Sequence, residues 1–338
     1  MTWWEKRRVL VSGGAGFIGS NLVQSLLAEK ALVRVVDNLE RGRREYLGTN
    51  LSWIDFRCED LLDPEVCRRA CEDIDVVIHL ASKVGGIGYY LTEKGEVFRK
   101  NVAIDNNLWS AALEKQVPFY FYASSAHVYP IELQQTPNPP KIREEQAYPA
   151  SPSLSYGWAK LLGEKLIQFS IEQGCRTRAS IARIIGAYGP NQDLDLATGS
   201  AIPVFCRRAV DYPSQLPFVV MGTGAETRSY HYVTDTVEAI LRSVTKLSER
   251  EILGPFNLGG EELISIRELA NQVIAISGKS IEVVWDTSHR TEIWGQVLDC
   301  SLMRTVLEGW MPAVSLNDGL RRSYDHIRAR LVQAEALA

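Results

Sequence analysis

Tyr156 and Lys160 are the residues whose chemistry and spacing point most directly to a reaction. They are four positions apart, so on a helix they lie one turn apart on the same face. An ammonium beside a phenol stabilises the phenolate and lowers a pKa that is otherwise about 10. We therefore predict that Tyr156 removes the proton of an alcohol while a hydride leaves the carbon that bears it.

Ser125 and His127 stand where a predicted strand ends, upstream of this pair. Ser125 is predicted to hydrogen-bond the reacting oxygen and to place it against Tyr156. Alternation along a strand would direct Ser125 and His127 to the same side. A histidine exchanges protons near neutral pH, so His127 is a candidate acid or base; the alternative is a histidine that only lines the pocket.

A glycine-rich turn follows the first predicted strand and opens the first predicted helix. Its glycines at 13, 16 and 19 allow a tight turn and a close approach of the backbone to a pyrophosphate. The N-terminus of the helix would then present unpaired N–H groups to that pyrophosphate. Taken alone, the three glycines are weak evidence, and a simple turn is the alternative.

Asp37 makes the dinucleotide interpretation specific, because it ends the next predicted strand. A carboxylate there can bind both hydroxyls of the adenosine ribose and repels a 2′-phosphate, which favours NAD over NADP. Arg41, Arg43 and Arg44 lie close by in the sequence, and the alternative is that one of them binds the 2′-phosphate of NADP. Further along the chain, Asp60 and Leu61 are predicted to flank the adenine. Leu80 and Ala81 are predicted at the cofactor face after a strand, with His79 as a packing histidine.

The elements that must position these residues alternate between strand and helix. Strands are predicted at 8–12, 32–36, 76–80 and 119–124, and helices at 17–30 and 97–115. This order predicts an α/β fold, a Rossmann-type doubly wound parallel sheet with a smaller C-terminal α/β substrate lobe. The NAD-binding domain is expected to span residues 1–185, with some later segments returning to it, and the substrate lobe mainly 186–338.

Composition excludes several other classes of protein. The chain has 338 residues, of which 46% are hydrophobic and 23% charged, and a net charge of -4. That charge gives no general attraction to nucleic acid or anionic lipid. No apolar run is long enough to span a membrane, and the start lacks the features of a signal peptide. The six cysteines form no zinc pattern, so we expect a cytoplasmic protein with reduced thiols and no metal.

These motifs together resemble the extended short-chain dehydrogenase/reductase superfamily, specifically its nucleotide-sugar epimerases and dehydratases. The resemblance extends from about Arg8 to about Asp325. It rests on GGAGFIG at 13–19, HLAS at 79–82 and SSA at 124–126, together with Y-x-x-x-K at 156–160. The later stretches AYGP at 187–190, TRSY at 227–230 and FNLG at 256–259 match as well.

The resemblance implies NAD as cofactor, a nucleotide sugar as substrate, and a homodimer formed through the helices near 97–115 and 155–173. For the dimer it directs attention to Val102, Ile104, Leu108, Trp109, Leu162, Leu166 and Ile167. The implied cofactor contacts are Gly13, Gly16, Phe17, Ile18, Gly19, Asp37, Asn38, Asp60, Leu61, Leu80, Ala81, Lys83, Asn101, Tyr156 and Lys160. The implied substrate contacts are Gly85, Gly86, Ser125, Ala126, His127, Ser200, Arg228, Arg290 and Gln296.

Within the superfamily, the glycine-rich stretch 83–88 and residues 123–130 resemble GDP-mannose 3,5-epimerase and GDP-fucose synthase. In both families a cysteine that acts as an acid or base stands at the place of His127. The second acid/base group of the 3,5-epimerase, a lysine, falls at about Ser200. Neither of those two groups is present here, so double epimerisation by the two-group scheme is not expected.

Binding of the sugar diphosphate is predicted for the C-terminal lobe. Arg228 follows a Gly-rich hairpin-like stretch, and a guanidinium there can hold phosphate oxygens bidentately. Arg290 is a second candidate, with a surface salt bridge as its alternative. The epimerases usually have an arginine near the position of Gln296. Because this chain lacks that arginine, one diphosphate contact is unassigned.

The predicted reaction is the epimerisation of a GDP-hexose or another nucleotide hexose through a transient ketone, with C4 as the oxidised carbon. The enzymatic alternatives are a 4-dehydrogenase that releases the keto sugar, or a reductase. A 4,6-dehydratase is disfavoured, because that group carries an Asp-Glu pair where this chain has Ala126 and His127. A non-enzymatic alternative is an inert NAD-sensing protein on the same fold.

Overall fold

A computed structural model of the chain describes residues 2–85, 90, 92–213, 217–288 and 292–337. The strands are β1 Arg8–Ser12, β2 Leu32–Val36, β3 Asp55–Arg57, β4 Val76–His79, β5 Phe119–Ser125, β6 Arg178–Ile184, β7 Ala187–Tyr188, β8 Phe218–Met221, β9 Thr227–Ser229, β10 His231–Tyr232, β11 Ile252–Leu258, β12 Leu263–Ser265, β13 Val283–Asp286 and β14 Gly295–Gln296. The helices are α1 Phe17–Ala28, α2 Pro64–Ala70, α3 Lys94–Glu114, α4 Ser155–Glu172, α5 Ala201–Asp211, α6 Val233–Lys246, α7 Ile266–Ser277, α8 Ser301–Val306 and α9 Leu316–Leu337.

Seven strands form one parallel sheet in the order β11-β6-β5-β4-β1-β2-β3. The order reverses between β1 and β4, and in such sheets ligands bind at this point, beyond the carboxyl ends of the strands. The predicted α/β fold class is confirmed, and β1 and β2 have the predicted bounds. One strand from after residue 185, β11, completes the sheet at one edge.

The sheet is buried on both faces, as its uninterrupted apolar strands require. In β1, Val9 and Val11 pack into one core cluster, whereas Leu10 packs into another on the opposite face. Helix α3 contributes Leu108 and Trp109 to the second cluster. Because both faces are buried, the register of each strand is fixed. The positions of the side chains that follow the strands are therefore fixed as well.

The remaining strands form small sheets in the later part of the chain. One contains β12, β9 and β14, a second pairs β13 with β8, and a third pairs β10 with β7. Among the described residues no helix is long and apolar enough to cross a membrane. No cluster of three or more metal-binding side chains lies in the part of the chain that the structure describes.

Candidate active site

The glycine-rich turn has no room for a side chain at Gly13 or Gly19. Gly13 has φ +69°, and a Cβ on it would lie 2.9 Å from the Cα of Ala81. A Cβ on Gly19 would lie 2.2 Å from the carbonyl oxygen of Gly13. Gly16 is the N-cap of α1 and supplies no side chain to its free N–H groups. The turn therefore leaves backbone N–H groups at a helix N-terminus for an anionic group, as a dinucleotide site requires.

Asp37 lies at the end of β2 beside this turn and is buried. Its two carboxylate oxygens accept hydrogen bonds from the backbone N–H groups of Ala15, at 3.0 Å, and Leu39, at 2.8 Å. Burial raises its pKa, and these two bonds lower it in part. No cation pairs with Asp37 among the described residues. Its carboxylate is therefore placed to bind ribose hydroxyls and to repel an additional phosphate.

The arginines near Asp37 have other partners. Arg41 forms a salt bridge of 2.6 Å with Asp193 and donates a hydrogen bond to the carbonyl oxygen of Val84. The guanidinium of Arg44 lies 5.0 Å from the centre of the Phe56 ring. Arg41 and Arg44, two of the three arginines that were candidates for binding a 2′-phosphate, therefore contact other groups of the protein.

The other predicted cofactor residues divide into exposed and buried groups. Asn38 donates a hydrogen bond of 3.2 Å to Asp60, and both lie at the sheet's carboxyl edge. The amide of Asn101 is fully buried, accepts from the backbone N–H of Lys83 and donates to its carbonyl oxygen. Asn101 therefore fixes the loop that carries Lys83, whose ammonium pairs with Glu40.

Tyr156 and Lys160 both lie on α4, as the spacing predicts, and both are buried. The Lys160 Nζ atom lies 5.9 Å from the centre of the Tyr156 ring and 3.5 Å from an Asp105 oxygen. That Lys160 lowers the pKa of Tyr156 stays a prediction, and the net direction of the shift in the folded protein is upward. Burial raises the pKa of Tyr156 well above its ordinary value, with Tyr90 and Asp105 adding to the increase, while a hydrogen bond with Ser82 opposes it.

Ser125 is the last residue of β5, and the turn that follows it approaches the first turn of α4 closely. Its Oγ accepts a hydrogen bond of 3.2 Å from the backbone N–H of His127. The chain continues as a 3₁₀ turn, Ala126–Val128, so the strand alternation that was to align Ser125 with His127 does not apply. Gly157 makes this approach possible, because a Cβ on it would lie 2.0 Å from the His127 carbonyl oxygen.

His127 nevertheless lies beside Tyr156. Their ring centres are 6.0 Å apart in an edge-to-face arrangement, and Tyr90 stacks on Tyr156 at 5.4 Å. Burial and the nearby Arg228 guanidinium lower the pKa of His127 to about 4. His127 is therefore a neutral imidazole at physiological pH.

The predicted substrate residues lie in separate elements of the later chain. Arg228 is largely enclosed and donates to the carbonyl oxygens of Thr227 and Ile293, while burial lowers its pKa. Gln296 donates a hydrogen bond of 2.8 Å to Gln134. Ser200 is exposed at the N-cap of α5, where it accepts from Gln192. Gly86 and Arg290 lie outside the described residues.

Comparison with known proteins identifies the family of this chain. The model of the NAD dependent epimerase/dehydratase family matches residues 9–259. The chain belongs to this family. The resemblance read from the motifs is thereby confirmed, as is NAD as the cofactor.

Individual members of the family match nearly the whole chain. GDP-mannose 3,5-epimerase 1 of Oryza sativa subsp. indica is 30% identical over 332 residues, 97% of this chain and 83% of that protein. UDP-glucuronic acid decarboxylase 2 of Arabidopsis thaliana is 29% identical over 326 residues, 96% of this chain and 69% of that protein. The crystal structure of UDP-glucose 4-epimerase of Thermus thermophilus, in complex with NAD, has a TM-score of 0.79 and 28% identity. It covers 95% of this chain and 99% of that one.

Two residues that contact Tyr156, and one arginine on α5, had no role assigned from the sequence. Tyr90 and Ser82 contact Tyr156, but they belong to loops whose positions no periodicity reveals. Arg208 on α5 is half-buried, and burial lowers its pKa with no carboxylate offsetting the effect. An uncompensated guanidinium of this kind is a candidate anion ligand. The doubled arginine at 207–208 was the available signal, and only one of the two, Arg207, pairs with Asp211.

We expect NAD to bind at least about tenfold more tightly than NADP, because Asp37 repels a 2′-phosphate. Calorimetric titration of cofactor-free protein with each dinucleotide measures the ratio. Asp37→Asn is the matched variant: it removes the charge with little change in shape and should reduce the preference. Equal binding of the two cofactors by the unmodified protein would contradict this assignment.

Proposed function

We propose that this protein is an NAD-dependent nucleotide-sugar epimerase that acts through a transient keto sugar, with oxidation at C4 and a GDP-hexose as substrate. The observation that carries the proposal is the convergence of the cofactor turn and Tyr156. Ala81 packs against Gly13 of the turn, and Ser82, the next residue, hydrogen-bonds Tyr156. A sugar hydroxyl held against Tyr156 would therefore have its carbon beside the cofactor.

The proposed chemistry uses three side chains of this chain. The turn and Asp37 would hold NAD, which would supply a reversible acceptor of hydride. Ser125 hydrogen-bonds the sugar hydroxyl, and Tyr156 takes the hydroxyl proton while the C4 hydrogen leaves as hydride. The Lys160 ammonium stabilises the phenolate that this transfer needs. After the ketone forms, the sugar presents its other face, Tyr156 returns the proton to oxygen, and the C4 configuration is inverted.

Inversion at C4 fits this pocket better than exchange at a neighbouring carbon. Exchange at C3 or C5 needs a base that removes a carbon-bound proton. An imidazole whose conjugate acid has a pKa of about 4, as at His127, is a weak base. Ser200 has no basic group, and its hydroxyl already accepts a hydrogen bond from Gln192.

We therefore expect the product formed in D₂O to carry no carbon-bound deuterium, because the same hydride leaves and returns. His127→Asn should keep the oxidation step, with a slower rate from altered packing against Tyr156. Mass spectrometry and NMR of the product from both proteins make the measurement. Deuterium at C3 or C5 that disappears in His127→Asn would instead make His127 an acid or base.

Two guanidinium groups support the binding of a sugar diphosphate. Arg228 and Arg208 are each shielded from solvent and form no salt bridge among the described residues, which is costly unless an anion binds, although the charge of Glu226 offsets part of that cost at Arg228. The guanine base is supported by the relatives named GDP-mannose 3,5-epimerase, 30% identical to this chain.

The test is a panel of GDP-, UDP- and dTDP-hexoses incubated with the NAD-loaded protein. A configurational change at C4 without net NADH supports an epimerase. Formation of one NADH per keto sugar released would show a 4-dehydrogenase instead of an epimerase. Reduction of a keto sugar without oxidation of any hexose would show a reductase. A protein that binds NAD but converts no member of the panel would be an inert NAD-sensing protein.

We propose a homodimer as well, although most of the residues that suggested it are unsuitable. Ile104, Leu108, Trp109 and Ile167 are buried inside one chain and cannot form an interface. Leu162, from the predicted set, is 47% exposed, and three further large apolar side chains of α3 and α4 are exposed as well: Phe98, Trp158 and Phe169, at 36%, 40% and 55%. Six unpaired cysteines further support the proposal that the protein acts in the reducing cytoplasm.

Leu162→Arg is expected to produce a monomer, because it places a charge in the centre of this exposed apolar face. Trp53→Arg is the matched control: Trp53 is 77% exposed but lies outside α3 and α4. Light scattering at several concentrations measures the mass of each variant. A monomeric unmodified protein would refute the proposed dimer.

A further inference from the structure

Behind Tyr156 and Lys160 lies a buried group of charged and polar side chains that the proposed reaction leaves unexplained. Asp105 on α3 is 3% exposed and extends towards the sheet. One of its oxygens lies 2.9 Å from His79 Nε2 and 3.5 Å from Lys160 Nζ. Its other oxygen accepts a hydrogen bond of 2.5 Å from the Tyr122 hydroxyl.

The hydrogen bonds determine which nitrogen of His79 carries the proton. Ser12 Oγ accepts from the backbone N–H groups of Leu80 and Ala81, at 3.2 and 3.3 Å. Its own hydrogen is therefore free to be donated to His79 Nδ1, 2.7 Å away. Nε2 must then carry the proton and donate it to Asp105. Burial lowers the pKa of His79, which agrees with a neutral ring.

A neutral His79 leaves Lys160 as the cation that balances Asp105. Although burial raises the pKa of Asp105, Lys160 and His79 bring it below its ordinary value. Burial lowers the pKa of Lys160, and Asp105 opposes that change. The titratable and charged groups that face Lys160 from the surrounding elements are Asp105 of α3, His79 of β4, Tyr122 of β5, and Tyr156 and Glu164 of α4. Of these, Glu164 is bound bidentately by Arg183 of β6.

We propose that Asp105 is a positioning residue that keeps Lys160 an ammonium, and that His79, locked in one tautomer by Ser12, holds the carboxylate in place. This inference rests on the proposed function. Ser12 is also the last residue before the glycine-rich turn, so one chain of hydrogen bonds connects the turn to the proton-transfer pair. Ser12, His79 and Asp105 would keep Lys160 charged while Tyr156 loses and regains a proton in the proposed reaction.

Asp105→Asn tests the charge with little change in shape. Its loss removes a negative neighbour from both Lys160 and Tyr156, so both pKa values fall. The pH profile of single-turnover NADH formation, measured on the best substrate of the panel, should move to lower pH by about one unit or more. Tyr122→Phe is the matched control, since it removes a hydrogen bond from Asp105 but no charge, and should leave the profile in place.

A slower Asp105→Asn enzyme with an unshifted profile would overturn the proposal, because a purely structural role reduces the rate at every pH. If that variant does not fold, ¹⁵N NMR of the unmodified protein decides. The ¹⁵N signals of the His79 ring are those that disappear from the spectrum of His79→Gln. They should show a neutral ring protonated on Nε2 from about pH 5.5 to 8. An imidazolium or the Nδ1–H tautomer would overturn the inference. That spectrum needs no substrate, so it remains informative if no nucleotide sugar is converted and the proposed function fails.

Discussion

Tyr156→Phe is expected to abolish turnover, with a loss of at least about a thousandfold. The variant removes the hydroxyl that transfers the sugar proton in the proposed reaction, while its ring can still stack on Tyr90 at 5.4 Å. Folding and NAD binding should therefore be nearly unchanged. NADH formation in a single turnover, with a parallel titration of NAD, measures both properties.

Lys160→Met provides the contrast to this variant. It removes the ammonium that stabilises the phenolate and leaves Asp105 as a buried carboxylate without its cation. We expect it to reduce turnover, stability and NAD affinity together, whereas Tyr156→Phe reduces turnover alone. More than a few per cent of the original turnover in Tyr156→Phe would exclude the phenol as the group that transfers the proton.

Gly157→Ala is expected to lose most activity and to destabilise the protein by about 3 kcal/mol. An added Cβ would lie 2.0 Å from the carbonyl oxygen of His127, and that oxygen is backbone, so either α4 or the turn after β5 must move. The movement separates Tyr156 from Ser125, which hold the same hydroxyl in the proposed reaction. Urea unfolding and NADH formation measure the two effects.

Gly95→Ala is the matched control, because Gly95 lies in the first turn of α3 with no other atom within 4 Å of an added Cβ. The same substitution there should be neutral or stabilise the protein by about 0.5–1 kcal/mol. Equal stability and activity of the two variants would show that the close approach of α4 to the turn has no functional importance.

The features that could be predicted from the sequence are local. Strand β1, the glycine-rich turn and the start of α1 are consecutive, so their apolar run and glycines are sufficient to predict the turn and the helix start at which we expect the dinucleotide to bind. Tyr156 and Lys160 lie on one helix, and their spacing alone places them on one face. The order of strands and helices predicted the parallel sheet, because short crossovers allow few other arrangements.

Where residues far apart in the chain had to be brought together, the sequence alone was insufficient. It gave Asp105 no role and made His79 a packing residue. In the structure His79 hydrogen-bonds Asp105, and Asp105 forms an ion pair with Lys160. It also counted Trp109 as an interface residue, because a helical apolar stripe does not reveal whether it faces the core or a partner.

The sequence by itself determined the cofactor, the fold and the placement of Tyr156 and Lys160 on one helix, because each depends on residue types at fixed short spacings. Only the tertiary structure decided the protonation state and surroundings of that pair. Burial made His127 a neutral imidazole and raised the pKa of Tyr156, and the packing of α3 on the sheet brought a carboxylate to Lys160. A pKa depends on solvent exposure and on charges a few ångströms away, and both are fixed only when distant segments pack together.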